Sequence, residues 1–250
     1  MKILVVNPNT STGVTKLIVE EAQRAASPTT EIVAATAAFG VPYIETRGEM
    51  AIASYATLMA VAKYASSCDG AVIAAFGDPG LGGARELLDI PVVGIAEAAM
   101  LTACMLGERF SIISVSLRLI PSLRNTVHQN GLSSRLASFR TLSERFGDFR
   151  TVQDEHADAL VELCTAAVEQ DGADVVILGG GPLAGLGRKV ADRIPVPTID
   201  GTTAAIRQIE TLVAMASGKA RLGSFSRPRA KAAVGLSSEL TELIEREEVR

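Results

Sequence analysis

The sequence contains no tryptophan, and aromatic residues make up only 4% of its 250 positions. Alanine, valine, isoleucine, leucine and glycine take their place, a composition that suits thin layers of branched strands covered by small-residue helices. Cysteine is scarce too: Cys68, Cys104 and Cys164 lie far apart with no C-x-x-C spacing. That odd, scattered count excludes a disulfide or metal framework and suits reduced thiols, two of them on apolar helix faces. There are two histidines, His128 and His156, each among charged neighbours where a surface position is expected. No metal site is expected from this set.

An excess of positive charge is also lacking. The net charge of −4 gives nucleic acid no electrostatic reason to bind. No apolar stretch reaches the roughly 18 residues that would cross a bilayer, so no membrane partner is expected. The N-terminus "MKILVVNPNT" turns polar after one short run, unlike a secretory signal, and a cytoplasmic location is the expectation. Neither G-x-G-x-x-G nor G-x-x-x-x-G-K-[ST] occurs at a strand end, so a nucleotide cofactor has no support.

What the chain does have is alternation. The run Lys2 to Val6, closed by "NPNTSTG", precedes the helical pattern "VTKLIVEEAQRAA". A second run covers Glu31 to Ala35, helical spacing covers Met50 to Ala65, and the strand "GAVIAA" follows. A helix over Gly82 to Leu88 then leads to a strand at Pro91 to Ile95. From Phe110 the order restarts with "FSIISVS", a polar segment, a helix from about Asp154 to Asp171, the strand "DVVILGG", a glycine-rich loop and "IPVPTIDG". A basic Gly/Ser/Pro connector precedes a last amphipathic helix, "SSELTELIEREEV".

The restart is specific, because "DGAVIAAFGDPGLGGARELLDIPVVGI" aligns with "ADVVILGGGPLAGLGRKVADRIPVPTI" at an offset of roughly 105 residues. The expected fold is α/β: two pseudo-symmetric, doubly wound, parallel-sheet halves with the site in the cleft between them. Expected boundaries are 1–100 for the first half, with its last helix or helices crossing over, and 101–215 for the second. Residues 216–250 form a segment and helix packing back on the body.

Four loops would reach that cleft. Asn7, Asn9, Thr10, Ser11 and Thr12 crowd the first strand end, where capping explains one or two of them but not all five. "GDPG" at Gly77 to Gly80 reads equally as a tight turn or as a loop in which Asp78 caps the next helix and aims amides at a ligand. "GGGPLAG" at Gly179 to Gly185 offers bare N–H groups in the manner of an anion hole, or a turn needing positive φ. Ser114 and Ser116 close the fourth loop.

"NPNTS" after the first strand, "FGDPGL" after the third, and "GADVVILGGGPLAGL" followed by "PVPTIDG" together resemble the hydantoin and allantoin racemases of the aspartate/glutamate racemase superfamily. The resemblance runs from Met1 to about Leu212. It implies two α/β halves around one site, a homo-oligomer, and a cofactor-free reaction between two cysteines that face a chiral carbon from opposite sides. Matching motif to motif, those cysteines fall where this sequence has Ala75 and Gly180. Neither methyl nor hydrogen can accept a proton, so two-thiol racemisation cannot run there. Related arylmalonate decarboxylases keep one of the two cysteines, so lyase chemistry has a precedent in the superfamily.

The reading that follows is a cofactor-independent enzyme acting on a small cyclic ureide or carboxylic acid by lyase, hydrolase or altered isomerase chemistry. Asp78, or a bound water, is the candidate proton handler. Asn9, Ser11, Ala75, Phe76, Gly77, Ser114, Ser116, Gly180 and Gly181 are the candidate substrate-binding set. The alternative is a non-catalytic small-ligand-binding descendant of the racemase fold.

Overall fold

A computed structural model describes residues 1–142 and 151–246. The first half runs β1 (Lys2–Asn7), α1 (Thr12–Ala25), β2 (Glu31–Thr36), α2 (Arg47–Tyr64), β3 (Gly70–Ile73), α3 (Leu81–Leu87), β4 (Val92–Gly94) and α4 (Ile95–Leu106). The second repeats it: β5 (Phe110–Ser114), α5 (Ile120–Gln129), β6 (Leu136–Thr141), α6 (Val152–Glu169), β7 (Val175–Gly179), α7 (Leu186–Val190), β8 (Thr198–Asp200) and α8 (Gly201–Met215). A last helix, α9 (Ser238–Glu245), packs against α2.

Both sheets are four-stranded and parallel, ordered β2-β1-β3-β4 and β6-β5-β7-β8. Helices α2 and α6 are each 18 residues long and begin 105 positions apart, at Arg47 and Val152, which is the offset the sequence repeat predicts. The two halves are therefore equivalent element by element.

Central strands covered on both faces need continuous apolar runs. In β1, Ile3 and Val5 face the central core while Leu4 and Val6 face the first half's outer core. That central core also holds Val72, Ile112, Val175 and Ile177, so one apolar interior joins the two sheets. Helix α1 contributes Val14, Ile18, Ala22 and Ala25, spaced three and four apart on its buried face.

The joint is reinforced by exchange of helices. Helix α4 packs on β7 and α5 of the second half, and α8 packs on α1 and β3 of the first. Their N-termini abut: a Cβ added at Gly201 would lie 2.8 Å from the Ile95 carbonyl oxygen. Each half thus sends its last helix across to its neighbour.

The polar segment expected after "FSIISVS" contains two elements that its composition concealed, α5 and β6. The strand residues "LASFRT" are all only half-buried because β6 is a sheet edge, so they lack the apolar run of a central strand. The last helix ends at Glu245, and the expected continuation through Val249 falls partly on 247–250, outside the described residues.

Candidate functional site

The parallel strands of both halves point their C-terminal ends at one place, as ligand sites in open α/β sheets require. A cavity of about 60 Å³ lies there. The first half supplies Asn9, Val14 and Met50, the loop residues Tyr43 and Ile44, and the segment Ala74 to Phe76 after β3. The second supplies Val115, Leu119 and the segment Gly180 to Pro182 after β7. Ala75 and Gly180, from opposite halves, line the same cavity.

The two walls interlock. A Cβ at Gly179 would lie 2.9 Å from the Phe76 ring, and one at Gly181 would lie 3.0 Å from Val14 and 3.1 Å from Ile18. Small residues here let a loop of one half touch the other half.

Asn9 is set by a local network rather than by chance of packing. Its side-chain oxygen accepts from the Asn7 amide and the Ser11 backbone N–H, both at 2.9 Å. Asn7 also donates to Thr15 Oγ1 at 2.9 Å and to the Ser11 carbonyl at 3.2 Å. With its oxygen held, the amide NH2 is the remaining donor of the Asn9 side chain, and Asn9 lines the cavity. Ser11 itself is the N-cap of α1, its hydroxyl accepting from the Val14 N–H, and it does not line the cavity.

Backbone donors complete the site. The N–H groups of Phe76, Gly180 and Gly181, which line the cavity, make no hydrogen bond to another described residue. Unengaged amides beside a small cavity can polarise a carbonyl or hold a carboxylate. Gly180 has φ +142°, a conformation an L-residue adopts only with strain, so this loop is shaped for a bare backbone. The loop is pinned from behind by Gln153, whose amide donates to the Pro182 carbonyl at 2.8 Å and to the Ala184 carbonyl at 2.9 Å.

Asp78 faces away from the cavity. Its carboxylate accepts from the Ala96 N–H at 2.9 Å and the Glu97 N–H at 2.8 Å, capping α4 rather than the next helix in sequence. The backbone at Asp78 has φ +52°, and Gly94 makes the approach possible, since a Cβ there would lie 2.2 Å from the Asp78 Cγ. Burial pushes the Asp78 pKa up to about 7, against the lowering effect of the two amides. In this arrangement Asp78 holds the loop that carries Ala75 and Phe76 instead of meeting a ligand.

Ser114 and Ser116 also stand outside the lining. Ser114 closes β5 fully buried, with no partner for its hydroxyl among the described residues. Ser116 donates to Glu45 Oε1 at 2.5 Å, a bond between the halves beside the cavity. Gly77 sits behind the wall, against the Met50 side chain. Of the candidate set, Asn9, Ala75, Phe76, Gly180 and Gly181 come together at the cavity.

Tyr43, Ile44 and Met50 join them without having been singled out, because Met50 reads as the start of a helical pattern and "FGVPYIETRGE" as a connector. Its Pro and paired aromatic and aliphatic residues in an otherwise polar loop were the available signal. No cysteine lines the cavity: Cys68 and Cys164 are buried in the two outer cores, and Cys104 packs against the central one. Burial pushes Cys164 up to about 12, an inert thiol. No group of His, Cys, Asp and Glu among the described residues could hold a metal ion, and no described helix is long and apolar enough to cross a membrane.

The model for Asp/Glu/hydantoin racemases matches residues 3–209. The chain belongs to that family. It is 36% identical over 235 residues to a hydantoin racemase of Paenarthrobacter aurescens, covering 92% of this chain and 99% of the relative. A hydantoin racemase of Pseudomonas sp. (strain NS671) is 34% identical over 94% of this chain and 95% of its own. Among solved structures, allantoin racemase from Klebsiella pneumoniae superposes with a TM-score of 0.89 at 36% identity, covering 97% of this chain and 98% of that one. Arylmalonate decarboxylase, 17% identical with a TM-score of 0.62 over 91% of this chain and 98% of its own, shares the fold.

Proposed function

We propose that this chain is a cofactor-independent enzyme acting on a small cyclic ureide or carboxylic acid by lyase, hydrolase or altered isomerase chemistry. The observation that carries the reading is the meeting of Ala75 and Gly180, one from each half, at a single cavity edged by unengaged backbone amides. A carbonyl or carboxylate of the substrate accepts from these amides and from the Asn9 NH2, so negative charge that develops there in the reaction is stabilised. Abstraction of a C–H proton by a thiolate is not available at either position. Reactions in which the electron pair comes from loss of another group, or in which water adds, need no such base.

The relatives support the substrate class: those of highest identity named above are hydantoin and allantoin racemases. Purified protein incubated with hydantoins, allantoin and substituted malonates, followed by NMR and mass spectrometry, tests the proposal. Conversion of one of them is the expected result, and absence of any product across the panel overturns it.

The non-catalytic alternative rests on a different observation, the largely apolar lining from Val14, Ile44, Met50, Val115 and Leu119. It predicts saturable thermal stabilisation by one of the same compounds with no product.

A further inference from the structure

The larger cleft of this molecule lies elsewhere. It encloses about 940 Å³ between α1, α4, α7 and α8, against about 60 Å³ for the cavity at the strand ends. Its floor is apolar, with Leu101, Met105, Ala204 and Leu212; Leu101 is 43% exposed and Met105 76% exposed. That size falls within the range of small-molecule sites, which are concave and mostly apolar with a few placed polar groups.

Charge is distributed unevenly around it. Four guanidiniums, Arg24, Arg85, Arg188 and Arg207, face three carboxylates, Glu21, Glu97 and Asp200. Arg85 is committed to a close pair with Glu97, and the Asp200 carboxylate is spent on the Gly185 N–H at 2.7 Å and the Thr203 N–H at 2.9 Å. The other three arginines are held loosely. Arg24 and Arg188 share one carboxylate, Glu21, at 3.5 and 3.7 Å, and Arg207 stands 3.7 Å from Glu210. These distances exceed a hydrogen bond, and the three side chains are half or more exposed, so each can turn to a better acceptor. Glu210 in turn is engaged by Ser27 and Thr30, which leaves Arg207 the weaker claim on it.

We propose that this cleft is a second binding site, for an amphipathic carboxylate whose apolar body lies on Leu101, Met105 and Leu212 and whose anionic head is held by Arg24, Arg188 and Arg207. Such a ligand satisfies both features at once: the apolar floor is removed from water and the surplus guanidiniums gain a bidentate acceptor. The site is separate from the cavity that binds the proposed substrate, so it stands or falls independently of that reading. It adjoins the other site through Gly185, whose N–H is bonded to Asp200 in the cleft wall and whose loop continues to Gly180.

Decanoate, used below its micelle concentration, is the probe, and decanol is its uncharged control. Calorimetry is expected to give saturable decanoate binding at least ten-fold tighter than decanol, with the Gly185 amide resonance shifting along the same titration. The double variant Arg188→Gln/Arg207→Gln, altered at exposed side chains and adding no negative charge beside Glu21 or Glu210, is expected to keep its melting midpoint and weaken decanoate at least ten-fold. Equal binding of decanoate and decanol, or of wild type and variant, overturns the proposal. So does an oligomer at working concentration that Leu101→Asp dissociates, because a second copy of the chain would then occupy the cleft.

Discussion

The two halves share strand order and the order of their elements, and yet they hold their cavity walls by opposite means. In the first half the carboxylate sits on the loop after β3: Asp78 reaches forward to the N-terminus of α4. In the second it sits at the end of β8: Asp200 caps α8 and reaches back to Gly185, beyond the loop after β7. Each half therefore ties its own wall loop to the helix that crosses to its neighbour, with the acid on opposite sides of the tie. The strand ends differ as well. The Asn7 NH2 faces three acceptors at the end of β1, whereas the Ser114 hydroxyl at the end of β5 has no partner among the described residues. The repeated scaffold is what packing demands, and the polar residues at the cavity are where the halves have diverged.

Gly94→Ala should have the largest effect, because the added methyl would overlap the Asp78 carboxylate in a place with no slack. A loss of about 3 kcal/mol is expected, which lowers the melting midpoint by roughly 6–12 °C in calorimetry. The equivalent position in the second half, the N-cap of α8, is Asp200 itself, so the sensitivity belongs to the Asp78 tie alone.

The ties should also titrate. Asp78 is raised from 3.8 to about 7 in the fold, so the native state binds its proton more tightly than the unfolded chain. Its contribution to stability is therefore full below about pH 4 and is lost as pH rises to 7, a change on the order of a few kcal/mol. Asp78→Asn should flatten that part of the stability curve, measured by urea unfolding from pH 4 to 8. Asp200, also raised by burial, should shift in the same direction.

Strand-end substitutions separate the halves further. Asn7→Ala leaves Asn9 and Thr15 short of a donor and should cost about 2 kcal/mol, while Ser114→Ala removes an unpaired hydroxyl and should be neutral or slightly stabilising. Ser116→Ala falls between them, at about 1 kcal/mol or less, from the single bond to Glu45. Chemical denaturation of the three variants orders them.

Much of this was legible in the sequence because it rests on period and repetition. Apolar runs marked the central strands, the 105-residue repeat marked the halves, and "FGDPGL" with "GGGPLAG" marked the two walls. The edge strand Leu136–Thr141 was hidden because half-buried strands need no apolar run. The direction of Asp78 was hidden for a different reason: its partners, Ala96 and Glu97, lie 18 and 19 residues on, and Gly94 admits it only once β4 is in place. Tyr43 and Ile44 reach the cavity through a loop whose path no local pattern fixes.

Ala75 and Gly180 line one cavity that no cysteine lines, so no thiol there moves a proton at a stereocentre. Deuterium exchange tests it most directly: a single enantiomer of a 5-substituted hydantoin, incubated with the wild-type protein in D2O and followed by NMR and chiral separation. Exchange and racemisation no faster than in buffer alone are expected. Enzyme-dependent exchange with racemisation, retained after Cys68, Cys104 and Cys164 are all replaced by alanine, would contradict that expectation by showing that another group in the cavity moves the proton.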